Sequence, residues 1–189
     1  MNFKYLVRNS RSIRQFDQNK AVDMGSLYNL IDIARLTPSA ANLQPLKYYL
    51  SNSNLKNEKI FKCLKWAGYL KDWKGLVDGK KPAAYIVIVN DTKISKNPFI
   101  DCGIVAQTIC LAACEKGLGT CMLGAIDKEN LQKYLKLKKQ YEIMLVIALG
   151  FPKDKVILEN LKKSKDIKYW RDKHNVHHVP KRVLNEIIL

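Results

Sequence analysis

A chain of 189 residues, 47% of them hydrophobic, is long enough to bury one sizeable core, and no low-complexity stretch divides it, so a single domain over residues 1–189 is expected. The formal charge of +16 raises the question of nucleic acid, but the lysines are scattered over residues 128–139 and 153–168 among leucines, isoleucines and acids, as on solvated helix faces, and no nucleic-acid reader motif accompanies them. The opening stretch MNFKYLVRNSRSIRQF carries basic side chains throughout and no apolar run suited to a signal or a membrane span, so a soluble, cytoplasmic protein with no membrane and no nucleic-acid partner is expected.

In chain order, residues 2–8 form a short helix candidate, with Phe3 and Leu6 or Val7 at helical spacing. Asp23 caps a longer helix whose stripe is Met24, Leu27, Leu30, Ile31 and Ala34, and Thr37-Pro38 stops it because a residue before proline avoids helical angles. A strand over residues 47–50 and a helix over 54–64 follow. Residues 65–81 hold Trp66, Tyr69 and Trp73 among glycines and lysines and read as a loop-rich excursion, either a lid over a pocket or aromatic anchors under a loop.

The run AYIVIV over residues 84–89 predicts a strand buried on both faces. Asp101 opens a helix apolar almost all round, which should be central and closely packed, with Gly117 ending it in a left-handed cap. Residues 120–125 pass through Gly124 into a helix capped near Asp127, and EIMLVIAL over residues 142–149 is a second buried strand. A final apolar helix is expected over residues 183–188. Helices and strands without a regular βαβ rhythm predict an α+β fold.

The five cysteines are odd in number, lie in apolar surroundings and form no CxxC pair, which points to reduced, buried thiols and no metal site. Three other segments carry ligand chemistry. Arg11 and Arg14, three residues apart with Ser12 between them, suit a phosphate, although such strings also occur in ordinary surface loops. In PSAANLQ the small residues Ser39, Ala40 and Ala41 leave room for a flat molecule to approach the backbone, and Asn42 and Gln44 offer donors and acceptors either to that molecule or to neighbouring backbone. The string HVPKR reads as a rigid turn presenting Lys181 and Arg182, as a phosphate contact or as a solvated tail.

Order and spacing together carry a resemblance. With RSIRQF near the start, ARLTPSAANLQPLKYY after the first long helix, DCGIVAQTICLAACEKGLGTCMLGAI in the middle, IALGFP after the late strand and HHVPKR near the end, the chain resembles the FMN-dependent nitroreductase family over essentially its whole length. The resemblance implies a nitroreductase-like α+β fold, a central, mainly antiparallel sheet flanked by helices, in an intertwined homodimer with one FMN in each interface cleft. It also implies that Arg11, Ser12 and Arg14 hold the phosphate and part of the flavin's polar edge, and that Pro38, Ser39, Ala40 and Asn42 reach the flavin from the other subunit with Gln44 close by. Met122, Leu123 and Gly124 would pass beside the ring, with a backbone N–H near Gly124 reaching N5, while Lys181 and Arg182 would close over the phosphate.

Two departures stand out. Many members carry a second arginine where this chain has Ser10, and the lysine that larger members supply has only Lys74, Lys80 and Lys81 as candidates here. The implied activity is hydride transfer from NADH or NADPH through flavin N5 to a small oxidant such as a nitroaromatic or quinone in a ping-pong cycle, with no protein acid, base or nucleophile. The alternatives are a flavin-binding sensor or carrier without turnover, or dehalogenation or oxygen-dependent chemistry on the same scaffold.

Overall fold

The computed structural model describes residues 2–70, 75–161 and 166–189. Helix α1 (Phe3–Asn9) leads into the extended segment that carries Arg11 to Phe16. Helix α2 (Met24–Ala34) starts where expected because the Asp23 carboxylate accepts from the Ser26 N–H at 2.8 Å and from the Ser26 hydroxyl at 2.6 Å, and its stripe buries Leu27, Leu30 and Ala34 completely.

Four strands form the main sheet: β1 (Leu46–Ser51), β2 (Ala84–Asp91), β3 (Gly119–Leu123) and β4 (Tyr141–Gly150), in the order β1-β2-β4-β3 and all antiparallel. The central strand β2 is buried at every position, as its unbroken apolar run predicts. Its alternating residues serve two cores. Ala84, Ile86 and Ile88 pack with Ile147 and Leu149 of β4 under α2 and α4 (Phe99–Glu115), whereas Tyr85, Val87 and Val89 pack with Ile143, Val146 and Ala148 against α3 (Asn54–Lys62), α5 (Lys128–Leu135), Ile13 and Phe16. The result is the expected α+β architecture, a sheet with helices on both faces. No helix among the described residues is long and apolar enough to cross a membrane.

Three expectations are corrected. The HVPKR segment is not a turn but strand β7 (His177–Lys181), which runs parallel to β5 (Val156–Asn160) and antiparallel to the two-residue β6 (Trp170–Arg171) in the order β5-β7-β6. Proline is tolerated there because β6 pairs only with His177 and His178, so Pro180 lies on an open edge where no N–H is required. The expected helix over residues 183–188 shrinks to a single 3-10 turn, Leu184–Glu186, because Leu184, Ile187 and Ile188 are exposed and so short a helix needs packing to persist.

The third concerns α4. Gly117 does end it with a left-handed φ of 74°, but one flank stays uncovered: Phe99 and Ile100 are 70% and 74% exposed, and Gly103 and Gln107 follow on the same side. The helix is therefore central on one side and bare on the other.

Candidate functional site

The segment after α1 is pinned along the free edge of β3. Ser12 bridges Thr120 in parallel, and the Ile13 N–H donates to the Thr120 carbonyl at 2.8 Å. The neighbouring glycine permits this approach: a Cβ on Gly119 would stand 2.8 Å from Ile13 Cγ1, closer than carbon atoms can pack. Phe16, fully buried, anchors the far end against Gly150. With Ile13 facing the core, extended alternation turns Ser12 and Arg14 outward.

Over this edge lies a cavity of about 280 Å³ lined by Arg11, Ser12, Gln107, Thr120, Met122 and Lys181 together with Ser10 and Cys110. Among the described residues its wall offers two cations and three hydroxyls and no carboxylate, the composition of an anion site. Arg11 donates to the Val7 carbonyl at 2.6 Å, yet its Nε is buried with no partner among the described residues. Partial burial lowers the pKa of this guanidinium, with Cys114 acting in the opposite sense, so Arg11 is a cation short of compensation.

Strand alternation separates the residues of β3. Met122, partly exposed, lines the cavity, whereas the Leu123 side chain belongs to the core and can offer a ligand only its backbone. Among the described residues nothing lies within 4 Å of a Cβ built on Gly124, which leaves open space beside it. Lys181 reaches the cavity from the end of β7, and Arg182 is exposed next to it.

A second cavity, of about 240 Å³, lies beside the loop of residues 38–44 and is lined by Thr37, Pro38, Ser39, Gln44, Tyr48 and Asp101 among others. It shares no lining residue with the first. The loop is unusual in its backbone: Ala41, Asn42 and Gln44 all have left-handed angles, with φ of 48°, 54° and 50°. For side chains with a Cβ this conformation is unfavourable, so something must hold it. Asp101, 3% exposed in the first turn of α4, does so by accepting from the Ser39 hydroxyl at 2.5 Å and the Ala40 N–H at 3.0 Å, and the Gln44 N–H donates in turn to Ser39 Oγ at 2.9 Å. Within one chain, Gln44 Nε2 donates to Asn42 Oδ1 at 3.0 Å, so the amide pair satisfies itself until another acceptor arrives.

Asp101 and Gln107 are the residues that sequence reasoning missed. Gln107 left a signal, a lone amide inside an otherwise apolar helix. The lysine candidates also separate. Lys81 is committed to Asp78 at 2.8 Å and Glu58 at 3.0 Å, whereas Lys80 donates to Gln15 at 3.1 Å, close to the Arg14 segment; Lys74 and Trp73 lie outside the described residues. Trp66 packs on Phe61 at 6.0 Å as an anchor would, while Tyr69 is half exposed and tilted against Tyr169 at 5.1 Å.

Of the cysteines, Cys63, Cys102, Cys110 and Cys121 are buried and Cys114 is half-buried, and burial pushes the Cys110 and Cys121 thiols up to about 11, which keeps them protonated at neutral pH. Among the described residues no group of three or more potential ligands could hold a metal ion.

The pinned basic segment, the strained small-residue loop and the half-bare central helix sit in an α+β frame that solved structures share. The model of the nitroreductase family matches residues 7–151. A protein of Archaeoglobus fulgidus, provisionally named NADH dehydrogenase/NAD(P)H nitroreductase, is 27% identical over 157 residues, covering 79% of this chain and 84% of its own. A nitroreductase family protein from Clostridium novyi superposes with a TM-score of 0.67 at 25% identity, over 82% of this chain and 87% of that one. A Desulfovibrio desulfuricans protein solved in complex with FMN gives a TM-score of 0.73 over 100% of this chain and 96% of that one, at 19% identity, a likeness of fold. The chain belongs to the nitroreductase family.

Proposed function

We propose that the protein is an FMN-dependent oxidoreductase that works as a homodimer and passes reducing equivalents from NADH or NADPH to a small oxidant, a nitroaromatic, a quinone or a related electrophile. The observation that carries this reading is the cavity on β3, where Arg11 and Lys181 stand among Ser10, Ser12 and Thr120 with, among the described residues, no carboxylate in the wall and no partner for Arg11 Nε. That donor set fits the phosphate of FMN. When bound, FMN supplies hydride transfer at N5 between the nicotinamide and the oxidant in turn.

The protein's own residues bind, orient and shield. Arg11 and Lys181 neutralise the phosphate, and Ser12 and Thr120 offer it hydroxyls, which offsets the serine at position 10. Arg14 does not line that cavity; its guanidinium leans on Tyr169 and His177, two residues along the segment from Ser12, and would bring a cation to the polar edge of the ring. Met122 offers a soft, apolar side chain to the flavin, and the backbone at Gly124 has open space beside it. Pro38, Ser39 and Gln44 line the other cavity of the same chain, and Ala40 and Asn42 lie in the same loop, so they serve a flavin only if a second copy brings them to it. The bare flank of α4, with Phe99 and Ile100 mostly exposed, and the exposed Phe3, Tyr5, Leu184, Ile187 and Ile188 supply apolar area for that second copy.

The test is an absorbance spectrum of the purified protein in air, repeated without oxygen after addition of NADH and then NADPH. Flavin bands that bleach with one donor support the reading, bands that persist with both point to a sensor or carrier, and a protein that takes up no FMN overturns it. In the reconstituted protein, Arg11→Ala is expected to weaken FMN by about 1.5–3 kcal/mol, roughly ten- to hundredfold in the dissociation constant, as for a lost hydrogen bond to a charged group. An unchanged constant would remove Arg11 from the site.

A further inference from the structure

Strands β5, β6 and β7 lie beyond the residues that the family model matches, yet they bear directly on Arg14. The Arg14 N–H donates to Asp154 Oδ2 at 2.8 Å, and that carboxylate, 1% exposed, is gripped by the Arg171 fork at 2.7 and 3.0 Å. Asp154 is thus spent on backbone and on Arg171. The Arg14 side chain has other company. Its guanidinium lies over the Tyr169 ring at 4.6 Å, and its Nη1 stands 3.1 Å from Nε2 of His177.

A guanidinium has donors only, so Nε2 of His177 must be the bare, accepting nitrogen, with the proton on Nδ1 and the ring neutral. His177 is 1% exposed, and burial together with the Arg14 and Arg171 cations opposes its protonation. Tyr169 packs against the same imidazole at 5.1 Å. Arg14 is therefore held by an aromatic face and by neutral acceptors, His177 and the Ser12 carbonyl at 3.5 Å, with its Nε unpartnered among the described residues. Its full charge remains available.

We propose that His177 and Tyr169 are positioning residues for Arg14, which fix its guanidinium as a cation two residues along the chain from the cavity-lining Ser12 and thereby raise both the affinity for FMN and the reduction potential of the bound flavin. The inference rests on the FMN reading above. Cation–π and hydrogen-bond contacts leave the charge in place, whereas a carboxylate partner would cancel it. A fixed cation there favours the reduced, more negative cofactor.

Two variants separate the role from mere packing. His177→Phe keeps a ring for Tyr169 and removes the acceptor; His177→Gln keeps an acceptor and removes the ring. Each is checked for folding by thermal melting, then FMN affinity and the midpoint potential of bound FMN are measured. The phenylalanine variant is expected to bind FMN about tenfold or more weakly, with a lowered potential, and the glutamine variant to recover much of both. Two folded variants that match the wild type in affinity and potential overturn the inference. Failure of the FMN reading is told apart by the wild type, which would then not bind FMN at all. Independently of any cofactor, the imidazole nitrogen shifts of His177 in the apoprotein should show the Nδ1-protonated neutral tautomer at pH 7, and the opposite tautomer or an imidazolium would also sink the proposal.

Discussion

Asp101→Ala should lower the stability of the protein by about 2 kcal/mol and, if the proposed FMN-binding dimer forms, weaken FMN, although Asp101 lies outside the basic cavity. The carboxylate is almost wholly buried and accepts from Ser39 and from the Ala40 N–H, each a hydrogen bond to a charged group that contributes roughly 1.5–3 kcal/mol. Its removal also releases a loop in which Ala41, Asn42 and Gln44 hold left-handed angles that cost on the order of 1 kcal/mol each. Relief of a buried charge and relaxation of that strain offset part of the loss, which sets the net figure. Denaturant unfolding gives the first effect and FMN titration the second. Asp101→Asn, isosteric but with one acceptor exchanged for a donor, should fall between alanine and wild type. Wild-type stability in the alanine variant would mean that the loop holds its shape unaided.

Acidification provides the other large effect. His177 has its pKa pushed down to about 4 by burial first and by Arg14 and Arg171 next, against an unfolded value near 6.5. Between those values the unfolded chain binds a proton that the folded chain refuses, so stability falls as pH drops from about 6.5 to 4, by about 3 kcal/mol in all. Above that window His177 is neutral in both states and costs nothing. His178 works in the opposite direction: Glu159 at 2.6 Å and Asp172 at 3.3 Å raise its pKa, so its stabilisation is complete below the ordinary histidine range and is lost as pH rises through the folded value. The C-terminal sheet should thus be firmest near neutral pH. Denaturant unfolding across pH 4 to 8.5 should show the acid limb flattened in His177→Gln and the alkaline limb retained. The groups that face His177, namely Arg14, Arg171, Asp154, Tyr169 and His178, are common to both proteins, as are the exposed aspartates, so the difference isolates the imidazole. Parallel acid limbs would contradict the assignment.

The parts legible in the sequence were those set by neighbours along the chain. The Asp23 cap, the α2 stripe, the unbroken apolar runs of β2 and β4 and the left-handed Gly117 follow from local rules, and the α+β class followed from their order. What long-range pairing decides was hidden. HVPKR becomes a strand only because β5 arrives beside it, and a two-residue β6 has no pattern to detect. The expected basic pair therefore reaches the cavity as Lys181 with Arg182 exposed beyond it. Asp101 looked like an acid opening a helix, yet it acts on Ser39, 62 positions earlier, and Arg14 is held by His177, 163 positions later. The apolar surround of α4 was visible, but periodicity does not say whether cover comes from the same chain or from another copy.

The two cavities on α4 share no residue, and that separation has a genetic consequence. If each flavin site takes its phosphate half from one chain and its strained loop from another, damage to the two halves is complementary. Co-expressed Arg11→Ala and Asp101→Ala chains, each defective by itself, should produce mixed dimers in which one site carries both lesions and the other carries neither. Activity would then return in a population made wholly of mutant polypeptides, in proportion to how often unlike chains pair.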